Sequence, residues 1–236
     1  MRLDKFISDG AALTRSESRK AIKAGRVRIK ESVIKDISAQ IKEDEIVFLD
    51  GEEITYKKFV YIMLNKPAGY ISATEDKKQN TVLELLDPSY TRYQLFPVGR
   101  LDIDTEGFLL LTNDGETAHN LLAPNKKVGK TYFLRLENDI TDEEIKRLEQ
   151  GVDIGDCITK EAKAKRISPN EIELTITEVK FHQIKRMAKA VGNNVTYLMR
   201  LSYGELYLDE MLKKGSYRPL TENEVEYLCN VYKKNT

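Results

Sequence analysis

The 236-residue chain has no tryptophan, two cysteines and two histidines. Cys157 and Cys229 lie far apart and lack metal-ligand spacing, so they read as free thiols and not as a disulfide framework or a zinc site. His119 and His182 are too few for a His-rich zinc centre. No apolar run approaches the roughly 20 residues that a membrane-spanning helix needs. The opening MRLDKFISDG lacks the apolar stretch of a signal peptide, and the expectation is a soluble, cytoplasmic protein without a membrane partner. No strand-like segment leads into GxGxxG or GxxxxGKS/T, so a nucleotide cofactor has no support. What remains is a length that suits one large domain, or a large one with a small appendage.

An excess charge of either sign is also missing, with 38 Lys and Arg against 38 Asp and Glu. The zero sum hides an asymmetry. Residues 1–35 hold ten cations and four acids, a net of +6, so the other 201 residues carry −6. A basic head on a mildly acidic body suits a module that grips a polyanion.

Within the head, Arg2 to Ile7 reads as a short helix ending near Gly10, and Thr14-Arg-Ser-Glu17 matches a capping box for a second helix running to Gly25. Arg15, Arg19 and Lys23 share one face of that helix, while Ala21 and Ile22 turn inward. The following Arg26-Val-Arg28-Ile-Lys30 alternates as a strand, adding cations to the same surface. With Arg2, Lys5 and Lys20 these side chains form a candidate RNA-binding face, the alternative being an ordinary solvated one. Asp50-Gly51-Glu52-Glu53 reads as a linker, which divides the chain into residues 1–55 and 56–236.

Beyond it, strands are expected at 59–64, 107–112, 131–136, 171–177 and 204–208, and helices at 115–122, 141–150, 181–191 and 221–233. The pattern suits an α+β domain with a largely antiparallel sheet.

The stretch GRLDIDTEGFLLLTNDG, Gly99 to Gly115, puts Asp102, Asp104 and Glu106 in alternation ahead of a glycine, as a calcium loop does. The spacing then fails. The twelfth position from Asp102 is Asn113 where a bidentate carboxylate belongs, and Phe108-Leu-Leu-Leu111 is an apolar strand where ligands are still required. A metal site is therefore not expected. Ordinary turn chemistry fits Asp104-Thr105, and Asn113-Asp-Gly115 makes a second turn before a helix at Glu116.

The whole phrase from Gly99 to Leu109 resembles the G-R-L-D-x-x-T-x-G-L-L signature of pseudouridine synthases of the RsuA branch, with Phe108 the single departure. Lys66-Pro67-Ala-Gly69 resembles the K-P-x-G motif of that branch, and Lys130-Thr-Tyr132 its K-x-Y element. Phe181-His-Gln-Ile-Lys185-Arg-Met187, with Val191-Gly192 and Leu198-Met-Arg200, resembles its third motif, with Lys185 where many relatives have arginine. Residues 1–50 resemble the small S-four-type (αL) RNA-binding domain.

This resemblance implies a pseudouridine synthase domain with a mixed, largely antiparallel sheet flanked by helices, behind the S-four-type head. It implies Asp102 as the catalytic carboxylate, Lys185 in charge-assisted contact with it, and Tyr132 as the aromatic beneath the base. Arg100 then grips a phosphate or holds the place of the flipped nucleotide, unless it forms a structural salt bridge, and Lys66-Pro67 is a rigid turn supporting the site. No cofactor is implied, because the reaction oxidises nothing and imports no group. The implied partner is ribosomal RNA, free or in a partly assembled small ribosomal subunit, met by a monomeric enzyme. The third motif favours small-subunit (16S) RNA. A large-subunit target and a non-catalytic ribosome-assembly role are the alternatives.

Overall fold

The computed structural model describes residues 1–11, 13–42, 45–54 and 57–231. They form two units, one of residues 1–60 with 87–94, the other of 61–86 with 95 onward.

In the first unit, α1 (Leu3–Gly10) and α2 (Arg15–Lys23) precede β1 (Val27–Ile29), β2 (Ser32–Val33), β3 (Val47–Leu49) and β4 (Glu52–Ile54). The strands make an antiparallel sheet in the order β2-β1-β3-β4. α2 starts where the sequence places it: Glu17 N–H donates to Thr14 Oγ1 at 3.2 Å and Thr14 N–H to the Glu17 carboxylate at 2.8 Å. Leu3, Ile7, Ile22, Val27 and Val47 are fully buried in one core with Phe6, Ile41 and Ile54. Residues 50–53 are not a linker. Asp50 and Gly51 take positive φ values of 54° and 89° and turn the chain between β3 and β4, where Leu49 pairs with Glu52. Asp-Gly between short strands is a type I′ hairpin signal, which outweighs the polar composition.

One carboxylate organises the basic face. Asp4 has no exposed side-chain surface, and its oxygens lie 3.1 Å from Arg2 Nε, 3.0 Å from Arg15 Nη1 and 3.1 Å from Arg19 Nε. The three arginines remain about half exposed and cover the acid themselves. Arg26 is paired with Asp50. Among the described residues Lys5, Lys20, Lys23 and Arg28 are exposed with no ion pair, so the free charge of this face rests more on lysine than the sequence suggests.

The second unit is built on β5 (Tyr61–Lys66), β6 (Phe96–Pro97), β7 (Glu106–Thr112), β8 (Lys130–Leu136), β9 (Lys163–Ser168), β10 (Glu171–Ile176), β11 (Val195–Tyr203), β12 (Leu206–Tyr207) and β13 (Tyr217–Pro219). Its sheet runs β13-β5-β7-β11-β8-β10-β9, with β6 added beside β7 and β12 beside β11. Among the described residues β7 and β11 are the parallel neighbours and every other pairing is antiparallel, which makes the sheet mixed as expected. The helices are α3 (Gly115–Leu122), α4 (Asp142–Gln150), α5 (Gln183–Ala190) and α6 (Glu222–Val231); residues 232–233 of the last expected helix lie outside the described residues. β5 is buried at every position and β7 at all but its first, as befits near-continuous apolar strands in mid-sheet. Asp114 caps α3, accepting from Glu116 N–H and Thr117 N–H at 3.1 and 3.2 Å.

Three sequence expectations change. The strand expected at 204–208 is only the two-residue β12, and the long strand is β11 just before it. β9 went unforeseen because KAKRIS is mostly exposed, as an edge strand guarded by cations must be. α5 begins at Gln183 and not at 181, because His182 takes a left-handed φ of 48°. No helix among the described residues is long and apolar enough to cross a membrane.

The Asp4 carboxyl is held below the usual carboxylate range: burial works to raise it, and the hydrogen bonds from Arg2 and Arg19 and the charges of Arg2 and Arg15 outweigh that. A depressed folded value means stabilisation that is complete above the unfolded value of about 3.9 and is lost as pH falls through the folded one. Asp4→Asn therefore lowers the urea midpoint of the protein at pH 7, and the gap from the parent closes in acid.

Candidate active site

The loop from Gly99 to Thr105 joins β6 to β7 and is fixed from beneath by the segment that follows β5. Lys66, fully buried at the end of β5, shares the three N–H groups of Nζ among four carbonyl oxygens: Pro67 at 3.0 Å, Asp102 at 3.1 Å, Ile103 at 3.3 Å and Thr105 at 2.8 Å. Gly69 N–H donates to Ile103 O at 2.7 Å, and Ser72 Oγ both accepts from Leu101 N–H at 3.0 Å and donates to Leu101 O at 3.1 Å. The loop thus spends its carbonyls on an ammonium inside the protein. Burial pulls the Lys66 amine down to about 8, against the charges of Asp104, Glu106 and Asp102. The Lys66-Pro67 turn does support the site, and the ammonium itself is the anchor.

The two aspartates of the loop share one partner, and Glu106, the first residue of β7, has others. Asp102 Oδ2 lies 3.1 Å from Lys185 Nζ, and Oδ1 lies 3.6 Å from His182 Nε2. Asp104 binds the same ammonium through both oxygens, at 2.6 and 2.9 Å. Glu106 accepts from Tyr197 Oη and lies beside Lys214 Nζ, each at 2.6 Å. Burial opposes ionisation of Asp104 and Glu106, but Lys185 on one, and Lys214 with Tyr197 on the other, hold both below the usual range. Lys185 moves the other way: its partial burial is outweighed by hydrogen bonds to Asp104 and Asp102, so it stays protonated above its ordinary value. Among the described residues no group of three or more His, Cys, Asp and Glu could hold a metal ion.

Asp102 and Lys185 open into a cleft also lined by Arg100, Leu101, Tyr132, Ile176, Lys180, His182, Ile184 and Leu198. Its lining mixes aliphatic and aromatic side chains with the cations of Arg100, Lys180 and Lys185. Tyr132 is nearly buried, on the face of β8 that looks into the cleft, and Arg100 is exposed with no ion pair among the described residues. The arrangement suits a flat, uncharged ring against aliphatic and aromatic walls, with a carboxylate at its edge and phosphates outside.

Asp104, expected only as a turn residue, and His182, expected inside a helix, both stand beside Asp102 and Lys185. Their signal was present only in three dimensions, where α5 brings Lys185 across to both aspartates. Gly107 is explained by the same geometry. Its φ is +98°, and a Cβ there would sit 2.3 Å from Arg200 O and 2.8 Å from Arg200 N, where β7 and β11 run parallel. Arg200 is itself buried and donates from Nε to Phe108 O at 2.7 Å.

A two-unit chain with a carboxylate–ammonium pair in a cation-lined cleft is the form of an enzyme acting on a polyanion. The family described as RNA pseudouridylate synthase matches residues 60–190, and the S4 domain matches residues 1–47. The uncharacterized RNA pseudouridine synthase YtzG of Bacillus subtilis (strain 168) is 50% identical over 235 residues, covering 97% of this chain and 98% of its own. Ribosomal small subunit pseudouridine synthase A of Salmonella typhimurium is 39% identical over 228 residues, 95% of this chain and 98% of that one. A crystal structure of a pseudouridylate synthase superposes with a TM-score of 0.68 at 36% identity, over 97% of this chain and 99% of the other. The chain belongs to the RNA pseudouridylate synthase family and carries an S4 domain at its N-terminus. It is an RNA pseudouridine synthase.

Gly107→Ala forces a side chain into backbone at a positive φ. The expected loss is ~3 kcal/mol or more of stability, read from urea unfolding, with activity falling in the folded fraction as the loop shifts.

Proposed function

We propose that the enzyme isomerises a uridine of small-subunit ribosomal RNA to pseudouridine, with Asp102 as nucleophile and no cofactor. The observation that carries this reading is the Asp102 carboxylate, 3.1 Å from Lys185 Nζ in a cleft that Tyr132, Leu101, Ile184 and Leu198 also line. In the reaction the bond from N1 to C1′ breaks, a bond from C5 to C1′ forms, and the C5 proton is exchanged for one on N1. Nothing is oxidised and no group is imported, so a nucleophilic carboxylate beside the ribose suffices. Lys185 puts a positive charge 3.1 Å from that carboxylate and orients it by a charge-assisted contact. Tyr132 is the surface against which the base rests after it leaves the RNA stack, and Arg100 holds a neighbouring phosphate.

Residues 1–55 act as the RNA-binding module and 56–236 as the catalytic domain. In the first, Lys5, Lys20, Lys23 and Arg28 meet phosphates directly, while Arg2, Arg15, Arg19 and Arg26 present donors already shared with Asp4 and Asp50. The choice of small-subunit RNA is supported by the names of the Salmonella and Escherichia coli (strain K12) relatives, both ribosomal small subunit pseudouridine synthase A. The enzyme works as a cytoplasmic monomer on ribosomal RNA, free or in a partly assembled small subunit.

Incubating the protein with precursor ribosomal RNA and mapping pseudouridine tests this reading. The expected product is a modified uridine in the small-subunit transcript. Asp102→Asn should bind the transcript normally and turn it over at least about 10⁴-fold more slowly. Modification of large-subunit RNA alone refutes the choice of target. Binding without product supports an assembly role, and an undiminished rate in the variant rules out the nucleophile.

A further inference from the structure

We propose that Phe181 is a stacking platform for the nucleobase next to the target uridine, a reading that rests on the RNA reaction proposed above. Phe181 is 72% exposed, the largest exposure of any phenylalanine among the described residues. A lone exposed apolar side chain means little by itself. Its setting is what distinguishes it. The ring lies 3.8 Å from the His182 imidazole at an interplanar angle of 22°, so one face is covered by a neighbour and the other is open. His182 in turn lines the cleft, 3.6 Å from Asp102.

The segment that carries the ring is held in place. Lys180 N–H donates to Gln183 Oε1 at 2.9 Å, Gln183 N–H to Lys180 O at 3.2 Å, and Gln183 Nε2 to Glu178 at 3.2 Å. Arg186 donates from Nη1 to Phe181 O at 3.2 Å and from Nε to Ile154 O at 3.0 Å. The left-handed φ of 48° at His182 is a costly backbone for a residue other than glycine, and it sets the imidazole beside the phenyl ring. An apolar ring held outward beside His182, itself a lining residue of the cleft, loses water when a ligand covers it.

The ligand chemistry follows from the surroundings. Lys180 and Arg100 bring cations to the lining of the same cleft, and an aromatic face beside cations is how proteins hold single-stranded nucleic acid. A uridine turned out of its stack leaves its neighbour without a partner face, and Phe181 supplies one. Stacking reads any base, so the platform contributes affinity and register along the strand more than sequence choice. Phe181 is thus a binding residue, one side chain removed from the acid.

The test uses the full-length protein and a short single-stranded RNA carrying 2-aminopurine beside its one uridine. Wild type should quench the probe on binding, and Phe181→Ala should not, while Phe181→Trp restores the quenching. On transcript, Phe181→Ala should raise KM roughly 5- to 100-fold, with the loss in KM and not in kcat. An abasic neighbour should cost the wild type a similar factor and cost Phe181→Ala nothing further. Equal quenching by Phe181→Ala, no quenching by wild type, or additive effects of the two changes would overturn the proposal and leave Phe181 as a contact for a protein. Quenching needs no turnover, so a wild type that quenches but makes no pseudouridine counts against the proposed reaction and not against the platform.

Discussion

Lys66 Nζ lies beyond the reach of solvent with the carbonyl oxygens of Pro67, Asp102, Ile103 and Thr105 around it, and the loop that carries Asp102 depends on that arrangement. A loop that turns its carbonyls inward ordinarily leaves them unsatisfied at about 1–3 kcal/mol each. Here one ammonium answers three of them, those of Asp102, Ile103 and Thr105, so the loop is free to turn the Asp102 side chain outward. Gly107 completes the constraint, since the strand that follows the loop passes too close to Arg200 for any side chain. Position is thereby fixed before any substrate arrives, which is where an enzyme gains most from a rigid site.

The same economy governs the charges above the loop. Lys185 serves Asp102 and Asp104 together, and the second aspartate keeps the ammonium charged and aimed when the first is engaged elsewhere. Glu106 is withdrawn from the cleft by Tyr197 and Lys214. Three acids that looked alike in sequence thus divide into a pair that shares one ammonium and a third held apart by its own partners. A lysine in place of a fork-shaped guanidinium suits this sharing, because its compact charge reaches two carboxylates without demanding a planar pairing.

Local chemistry was well legible in the sequence. The capping box at Thr14, the turn before α3 and the apolar strands β5 and β7 all depend on residues a few positions apart. Elements whose character comes from the tertiary setting were not. β9 is polar because it is an edge, and α5 starts late because His182 abandons helical φ. Asp4 was one acid among four until the fold put three arginines on it. For the site, resemblance located Asp102 and Lys185, and the fold brings them together across 83 residues of chain. The part of Lys66 was hidden, because a lysine ending an apolar run says nothing about which carbonyls will close around it.

If that ammonium sets the loop, replacing it must release the loop while sparing the sheet. Hydrogen exchange on Lys66→Met, followed at the amides of Gly69, Leu101 and Thr105 beside single-turnover kinetics, reads this most directly. The account predicts fast exchange at these three positions, unchanged protection along β8 and β10, and a kcat reduced with the loop's order. Parental protection of the three amides together with a parental rate would show that the loop holds itself and that the buried lysine does not position the acid.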